Sequence, residues 1–183
     1  MRIGIDIDDT IASSWKYMIP IYSKEFNISI DENSLPYYHP LKNIMSFEQF
    51  SERMRKYEQL NMDIPLKEHV QTILKKLKEE GHTIIFITAR GSMYSNPYKI
   101  TKDYLDKYNI PYDKIIVDSW DKASVCKNEN IDLFIDDSYK HCQEVKDIGI
   151  SVLMMETNYN KQYKEFRHVK DWKEIYEYIQ NRW

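Results

Sequence analysis

The chain has 183 residues, 42% hydrophobic and 30% charged, a balance that excludes disordered and fibrous classes and predicts one ordinary domain or one with a modest insertion. A domain of this size buries roughly 70% of the surface its unfolded chain exposes, so it needs neither disulfide nor structural metal to fold, and Cys126 and Cys142 fit a reduced cytosol. A net charge of -3 and a pI of about 6.0 argue against duplex nucleic acid or an anionic membrane as partner.

Met1 to Asp6 is a short apolar run ending in acid. Asp6, Asp8 and Asp9 interrupt it where a signal peptide or membrane span would continue, so a soluble, cytoplasmic protein is expected. A helix is predicted from near Ser13. About forty residues then separate it from the next strong helical pattern, more than a crossover requires, so something is inserted there. Within the insert, Ser46 and Gln49 form a capping-box pattern, and Phe47, Phe50, Met54 and Tyr57 recur at helical spacing. The reading is a small helical cap, residues 15–64, over a core formed by 1–14 and 65–183.

From Lys67 to Glu80 the apolar residues Val70, Ile73, Leu74 and Leu77 fall on one helical face, with Gly81 placed as a C-terminal cap. Thr83 to Thr88 (TIIFIT) reads as a strand, Pro97 to Tyr108 as a helix, and Lys114 to Val117 (KIIV) and Ile131 to Ile135 (IDLFI) as further strands. A helix from about Tyr139 to Ile148, the strand Ser151 to Met155 (SVLMM) and a helix from Asp171 complete the pattern. The strands are short and rich in branched residues, as in sheets buried on both faces. Their alternation with helices predicts a parallel α/β sheet.

In such a sheet, ligands bind beyond the carboxyl ends of the strands, and there this sequence concentrates its unusual residues. Asp6-Ile7-Asp8-Asp9-Thr10 follows the first strand, Thr88-Ala89-Arg90 ends the second, Asp121-Lys122 follows the third, and Asp136-Asp137-Ser138 ends the fourth. Converging carboxylates about 4 Å apart repel by about 4 kcal/mol per pair at an effective dielectric of 20, so they call for a cation. An all-oxygen donor set suits a hard ion, Mg²⁺. A carboxylate facing an anionic phosphate becomes a nucleophile once the metal and a lysine neutralise charge. That gives Asp6 the attack, Asp8 the acid–base work because a residue two positions on points to the same side of an extended strand, and Thr88 and Lys122 the phosphoryl oxygens.

DIDDT, FITAR, DK and IDDS, in this order between residues 6 and 138, resemble the four motifs of the haloacid dehalogenase superfamily. The resemblance implies a Rossmann-like core, an aspartyl-phosphate intermediate and Mg²⁺. Asp6 would be nucleophile and metal ligand, Asp8 acid–base and ligand through its main-chain carbonyl. Asp137 is expected as a direct metal ligand and Asp136 as a direct or water-mediated one. The short insert, TAR after the second strand and Tyr104 to Tyr112 (YLDKYNIPY) are similar to the 5'(3')-deoxyribonucleotidase group, the type C 5'-nucleotidases. A phosphatase acting on a small phosphorylated metabolite, a (deoxy)nucleoside monophosphate, is therefore the expected function, with Thr10, Trp15, Ala89 and Arg90 as substrate contacts. Asp9 stands where the family often has glycine; a turn requiring positive φ would tolerate aspartate there.

Each signal has a competing reading. Lys122 competes with Lys127 and with simple solvation. Arg90 either clamps a substrate phosphate or pairs with a carboxylate to hold its loop. Trp15, Tyr37, Tyr38, Phe47, Phe50 and Tyr57 either stack a nucleobase or form the cap's own core, with Trp15 chosen as the stacking residue because it follows the first motif. The histidines at 39, 69, 82, 141 and 168 lack metal-ligand spacing, the cysteines form no CxxC, and Lys75, Lys76 and Lys78 read as a solvated face. Rival functions are a phosphatase for a sugar phosphate or a polynucleotide 3'-end, and a phosphorylatable receiver-like domain. A receiver would place its acid pair after the first strand and its phosphorylated aspartate after the third, whereas here a second acid pair follows Thr88 and Lys122. Homo-oligomerisation is left open.

Overall fold

A computed structural model describes residues 1–30 and 45–182, apart from the side chain of Met54. Its centre is a six-stranded sheet ordered β3-β2-β1-β4-β5-β6, parallel throughout. The strands are β1 (Arg2–Ile5), β2 (Thr83–Ile87), β3 (Lys114–Ile116), β4 (Leu133–Asp136), β5 (Ser151–Met155) and β6 (Arg167–Val169). Ile5 pairs with Phe86 on one side and Ile135 on the other, so the first strand lies at the middle, where the order reverses.

Side chains alternate between two buried layers. Ile3, Ile5, Phe86, Leu133 and Ile135 pack against Leu74 and Leu77 of α3 (Val70–Glu79) and Trp172 and Ile175 of α7 (Trp172–Arg182). Ile85, Ile87 and Phe134 pack against Cys126 of α5 (Lys122–Asn128) and Val145 of α6 (Tyr139–Asp147). Both faces are covered, which is why the strands read as continuous apolar runs. Each fully buried side chain of this kind contributes roughly 1.5–3 kcal/mol. Gly4 admits the close approach of this second layer: a Cβ there would stand 3.1 Å from both Ile87 Cδ1 and Phe134 Cδ2.

Several boundaries differ from the sequence reading. The helix expected from Lys67 begins at Val70, because His69 takes a left-handed conformation (φ 66°) that helical residues cannot share. Its other end is as expected. Gly81 (φ 84°) donates to Lys78 O and His82 to Leu77 O, the paired bonds of a Schellman motif. Helix α5 and strand β6 had no expectation. The first is a short helix of about two turns capped by Asp121, which accepts from Ser124 N at 3.0 Å, and the second is a three-residue edge strand without an apolar run.

Beyond the end of β1, Ala12 forms an isolated antiparallel bridge with Leu66, which brings the two ends of the insert together. Between these points lie α1 (Ser14–Phe26), α2 (Phe47–Met54) and a 3-10 helix, Arg55–Asp63. The capping box forms: Ser46 Oγ accepts from Gln49 N at 3.2 Å, and Gln49 Oε1 accepts from Ser46 N at 3.0 Å. Phe50 packs on Tyr22 and Phe26 of α1, with ring centroids 5.4 and 6.0 Å apart, so it belongs to the insert's own core. Tyr57 donates to Glu25 at 2.7 Å. Tyr37, Tyr38 and His39 lie outside the described residues. Helix α4 (Pro97–Lys107) follows β2, and its Asn96 cap accepts from Lys99 N at 3.0 Å.

Candidate active site

The first strand does not extend to Asp8. Asp6 N still donates to Ile135 O at 2.9 Å, but the chain then turns, with Thr10, Ile11 and Ala12 all donating to Ile7 O. Asp9 takes φ 55° at this turn, the left-handed conformation that aspartate tolerates better than most residues. Its carboxylate accepts from Trp15 N at 3.2 Å and so anchors the first turn of α1, where the helix dipole favours negative charge. The expectation that Asp6 and Asp8 share one side of an extended strand is therefore corrected: a turn, not strand alternation, brings both to the cavity.

Asp6 emerges beside the ends of β2 and β4. Lys122, the first residue of α5, is 1% exposed and donates to Asp6 Oδ1 and to Asp136 Oδ2, the latter at 2.6 Å. Asp136 also accepts from Ser138 N at 2.7 Å, and His141 Nδ1 lies 3.5 Å from it. Asp137 accepts from Thr10 Oγ1 at 3.2 Å and from the Tyr159 hydroxyl, while Asn160 Nδ2 holds the Asp137 carbonyl at 2.8 Å. Asp6, Asp136 and Asp137 each turn an oxygen to a common point, these atoms lying within 4.8 Å of one another.

Burial and charge sort these acids. Burial pushes Asp6 up to about 7 against the pull of Lys122, and burial with the adjacent Asp136 carries Asp137 well above the usual carboxylate range. Asp136 goes the other way: burial opposes ionisation, yet Lys122 and His141 hold it down at about 2. At 4.8 Å and an effective dielectric of 20, each pair of ionised carboxylates repels by about 3.5 kcal/mol, and one lysine does not balance three acids. The all-oxygen donor set and the uncompensated negative charge fit a hard divalent cation.

Asp8 stands apart from that cluster. Its carboxylate is held by Arg90, from Nε at 2.8 Å and Nη2 at 2.7 Å, and by the Ser14 hydroxyl at 2.6 Å. Although burial opposes ionisation, Arg90 and Ser14 keep its pKa below the usual carboxylate range. Of the two readings of Arg90, the structure contains the carboxylate pair.

Above these groups lies a cavity of about 190 Å³. Asp6, Asp8, Trp15, Thr88, Ala89, Arg90, Asp136 and Asp137 line it among the residues expected from sequence, with Phe47 and Phe50 from the insert. Thr10 is not at its wall: it is fully buried, and its hydroxyl serves Asp137, so the expected substrate contact is corrected to a support. Lys122 sits behind Asp6, reaching the site through the two carboxylates it binds. Asp121 is exposed and only caps α5.

Sequence reasoning missed Tyr159, Asn61, Tyr94 and Trp120, all in the cavity wall. Tyr94 donates to Asn61 Oδ1 at 3.1 Å, tying the loop after β2 to the insert. Trp120 meets Phe47 edge to face at 5.7 Å and donates to Asp118 Oδ1 at 3.2 Å. Gly91 makes room for that aspartate, since a Cβ there would fall 2.1 Å from Asp118 Oδ1. Of these, Trp120 alone carried a usable signal, standing immediately before the DK motif.

Comparison with known proteins bears on what this arrangement does. Residues 1–182 match the family described as 5' nucleotidase, deoxy (pyrimidine), cytosolic type C protein. A nucleotidase from Clostridium acetobutylicum is 31% identical over 182 residues, 96% of this chain and 92% of that protein. Among solved structures, a predicted phosphatase from Clostridium acetobutylicum aligns with TM-score 0.76 at 13% identity, covering 98% of each chain. A haloacid dehalogenase-like hydrolase from Streptococcus pneumoniae aligns with TM-score 0.70 at 17% identity, again over 98% of each. At these identities the two structures speak for the fold, a Rossmann-like haloacid dehalogenase core.

Proposed function

The chain belongs to the cytosolic type C 5'-nucleotidase family, and on that premise we propose that it is a Mg²⁺-dependent phosphomonoester hydrolase, removing phosphate from (deoxy)nucleoside monophosphates through a phosphorylated Asp6. The observation that carries the reading is the gathering of Asp6, Thr88, Lys122, Asp136 and Asp137 around the carboxyl ends of β1, β2 and β4, beneath a cavity walled by aromatic residues of the insert. The carboxylates of Asp6, Asp136 and Asp137, with the main-chain carbonyl of Asp8, would hold Mg²⁺, which when bound neutralises phosphoryl charge as a Lewis acid.

An Asp6 carboxylate oxygen attacks phosphorus, the bond from phosphorus to the ester oxygen breaks, and Asp8, ionised in the free protein, first takes up a proton from solvent and passes it to that departing oxygen. Water then attacks the same phosphorus and loses a proton to Asp8. The bond from phosphorus to Asp6 breaks, releasing inorganic phosphate. Thr88 offers its hydroxyl to a phosphoryl oxygen, with the Ala89 backbone beside it, and Lys122 keeps Asp6 and Asp136 neutralised from behind. Residues 15–64 act as the cap, and Trp15 presents a ring to the nucleobase.

The test is phosphate release from nucleoside 5'- and 3'-monophosphates, deoxynucleotides and sugar phosphates, each with Mg²⁺ and with EDTA. Release that needs Mg²⁺ and concentrates on nucleotides is expected, as is a folded but inactive Asp6→Asn protein. Release from sugar phosphates alone would discard the nucleotide reading. A fully active Asp6→Asn protein would discard the covalent mechanism.

A further inference from the structure

A carboxyl group that protonates a departing oxygen must be held in line with it, and a misplacement of about 1 Å can cost about a hundredfold in rate. Asp8 lies in a loop and its side chain is 37% exposed, so the loop alone does not fix it. Its fixing comes from two other elements. Arg90, after β2, places Nε on Oδ2 and Nη2 on Oδ1, and Ser14, at the start of α1, adds its hydroxyl to Oδ1.

The guanidinium is itself rigidly placed. Its side chain is 1% exposed, its charge centre lies 5.2 Å from the Tyr104 ring centroid and 5.9 Å from that of Tyr94, and its Nη1 is buried with no hydrogen-bond partner among the described residues. Its Nε and Nη2 both donate to Asp8. A planar fork of this kind sets position and plane together, which a lysine does not.

The two oxygens of Asp8 are not equivalent. A carboxylate oxygen has two lone-pair sites. Among the described residues, Oδ1 accepts from both Arg90 and Ser14 and is saturated, whereas Oδ2 accepts from Arg90 alone. The remaining site on Oδ2 is the one open to a proton in transit.

We propose that Arg90 is a positioning residue rather than a phosphate clamp: with Ser14 it fixes Asp8 so that Oδ2 is the oxygen exchanging the proton with the departing alcohol. The assignment rests on the phosphatase reading above. It predicts that the need for Arg90 follows the leaving group. A nucleoside alkoxide must be protonated as it departs, whereas nitrophenolate leaves without help. The quantity kcat/KM reports the steps up to departure of the alcohol.

Arg90→Lys, Arg90→Met, Ser14→Ala and Asp8→Asn are compared with wild type on a deoxynucleoside monophosphate and on p-nitrophenyl phosphate. Measuring both substrates on one sample cancels any loss of folded protein. For Arg90→Lys, kcat/KM on the nucleotide should fall about a hundredfold or more while p-nitrophenyl phosphate falls less than about fivefold, with Asp8→Asn showing the same selectivity and Ser14→Ala a weaker version. Equal losses on both substrates in the Arg90 variants, with Asp8→Asn still selective, would overturn this assignment alone and restore a clamp. Equal losses in Asp8→Asn would overturn the acid–base role on which it depends. A wild-type protein inactive on both substrates would overturn the phosphatase reading and this assignment with it.

Discussion

Replacing Lys122 by Met tests whether the site is an electrostatic balance or merely a collection of acids. The ammonium is 1% exposed and donates to Asp6 and Asp136, and Asp137 is the third carboxylate around the same point. Met fills most of the volume without the charge, so packing against Phe134, whose ring centroid is 5.7 Å from Nζ, is largely kept. What is lost is the only buried ammonium between these acids, among the described residues. Removing one partner of a buried pair costs about 3–5 kcal/mol, and for a chain of this length each kcal/mol moves the melting temperature by about 2–4 °C. Lys122→Met should therefore melt about 6–20 °C below wild type, measured by calorimetry in metal-free buffer. Lys122→Met combined with Asp136→Asn should recover part of the loss, because it removes one of the stranded charges. A melting temperature within about 2 °C of wild type, or a double variant that loses the sum of the two single losses, would refute this account of the site.

Three further outcomes follow from the geometry. Mg²⁺ at millimolar concentration should raise the melting temperature of the wild type and leave that of an Asp136→Asn, Asp137→Asn double variant unmoved; an equal rise in both would place the cation elsewhere. Gly91→Ala puts a Cβ 2.1 Å from Asp118 Oδ1, so urea unfolding should show a loss of about 1–3 kcal/mol, and indole fluorescence should shift as Trp120 loses its aspartate; an unchanged midpoint and spectrum would mean that the loop yields freely. Burial opposes ionisation of Asp113, but Lys78 at 2.7 Å and Ile84 N at 2.7 Å hold its pKa below the ordinary value. Its contribution is then complete above the unfolded value near 3.8 and is lost as pH falls through the folded one, so Asp113→Asn should flatten the acid limb of stability against pH; parallel limbs would remove the pair from the account.

The legible part of the molecule is the part governed by run length. A strand such as TIIFIT must stop where its apolar residues stop, and Thr88, Arg90 and Asp136 stand at those stops, so their convergence followed from placing the strands side by side. Contacts between remote segments carry no such mark. Tyr159 reaches Asp9 across 150 positions and Asp137 across 22, and nothing in its neighbours NYN distinguishes it from a surface tyrosine. Thr10 looked like a substrate contact because it belongs to a motif, yet its hydroxyl points back to the acid pair. Strand β6 escaped notice because an edge strand of three residues buries too little to impose a pattern.

The separation of Asp6 from Asp8 joins fold to chemistry. On a continuing strand, residues two apart would project together into one environment and share one counter-ion. Here β1 ends at Ile5, and the turn through Asp9 carries Asp8 around to the loop after β2. Each aspartate consequently has its own buried cation: Lys122, brought by α5, for Asp6, and Arg90, brought by β2, for Asp8. The cations differ in kind as the tasks do. A compact ammonium can serve two carboxylates and leave their outer oxygens to a metal, whereas a planar fork engages both oxygens of one carboxylate and fixes its plane. Exchanging the two, Lys122→Arg with Arg90→Lys, would keep the net charge of the chain and should still abolish turnover. A double exchange retaining most of the activity would mean that charge alone, without geometry, is what the site requires.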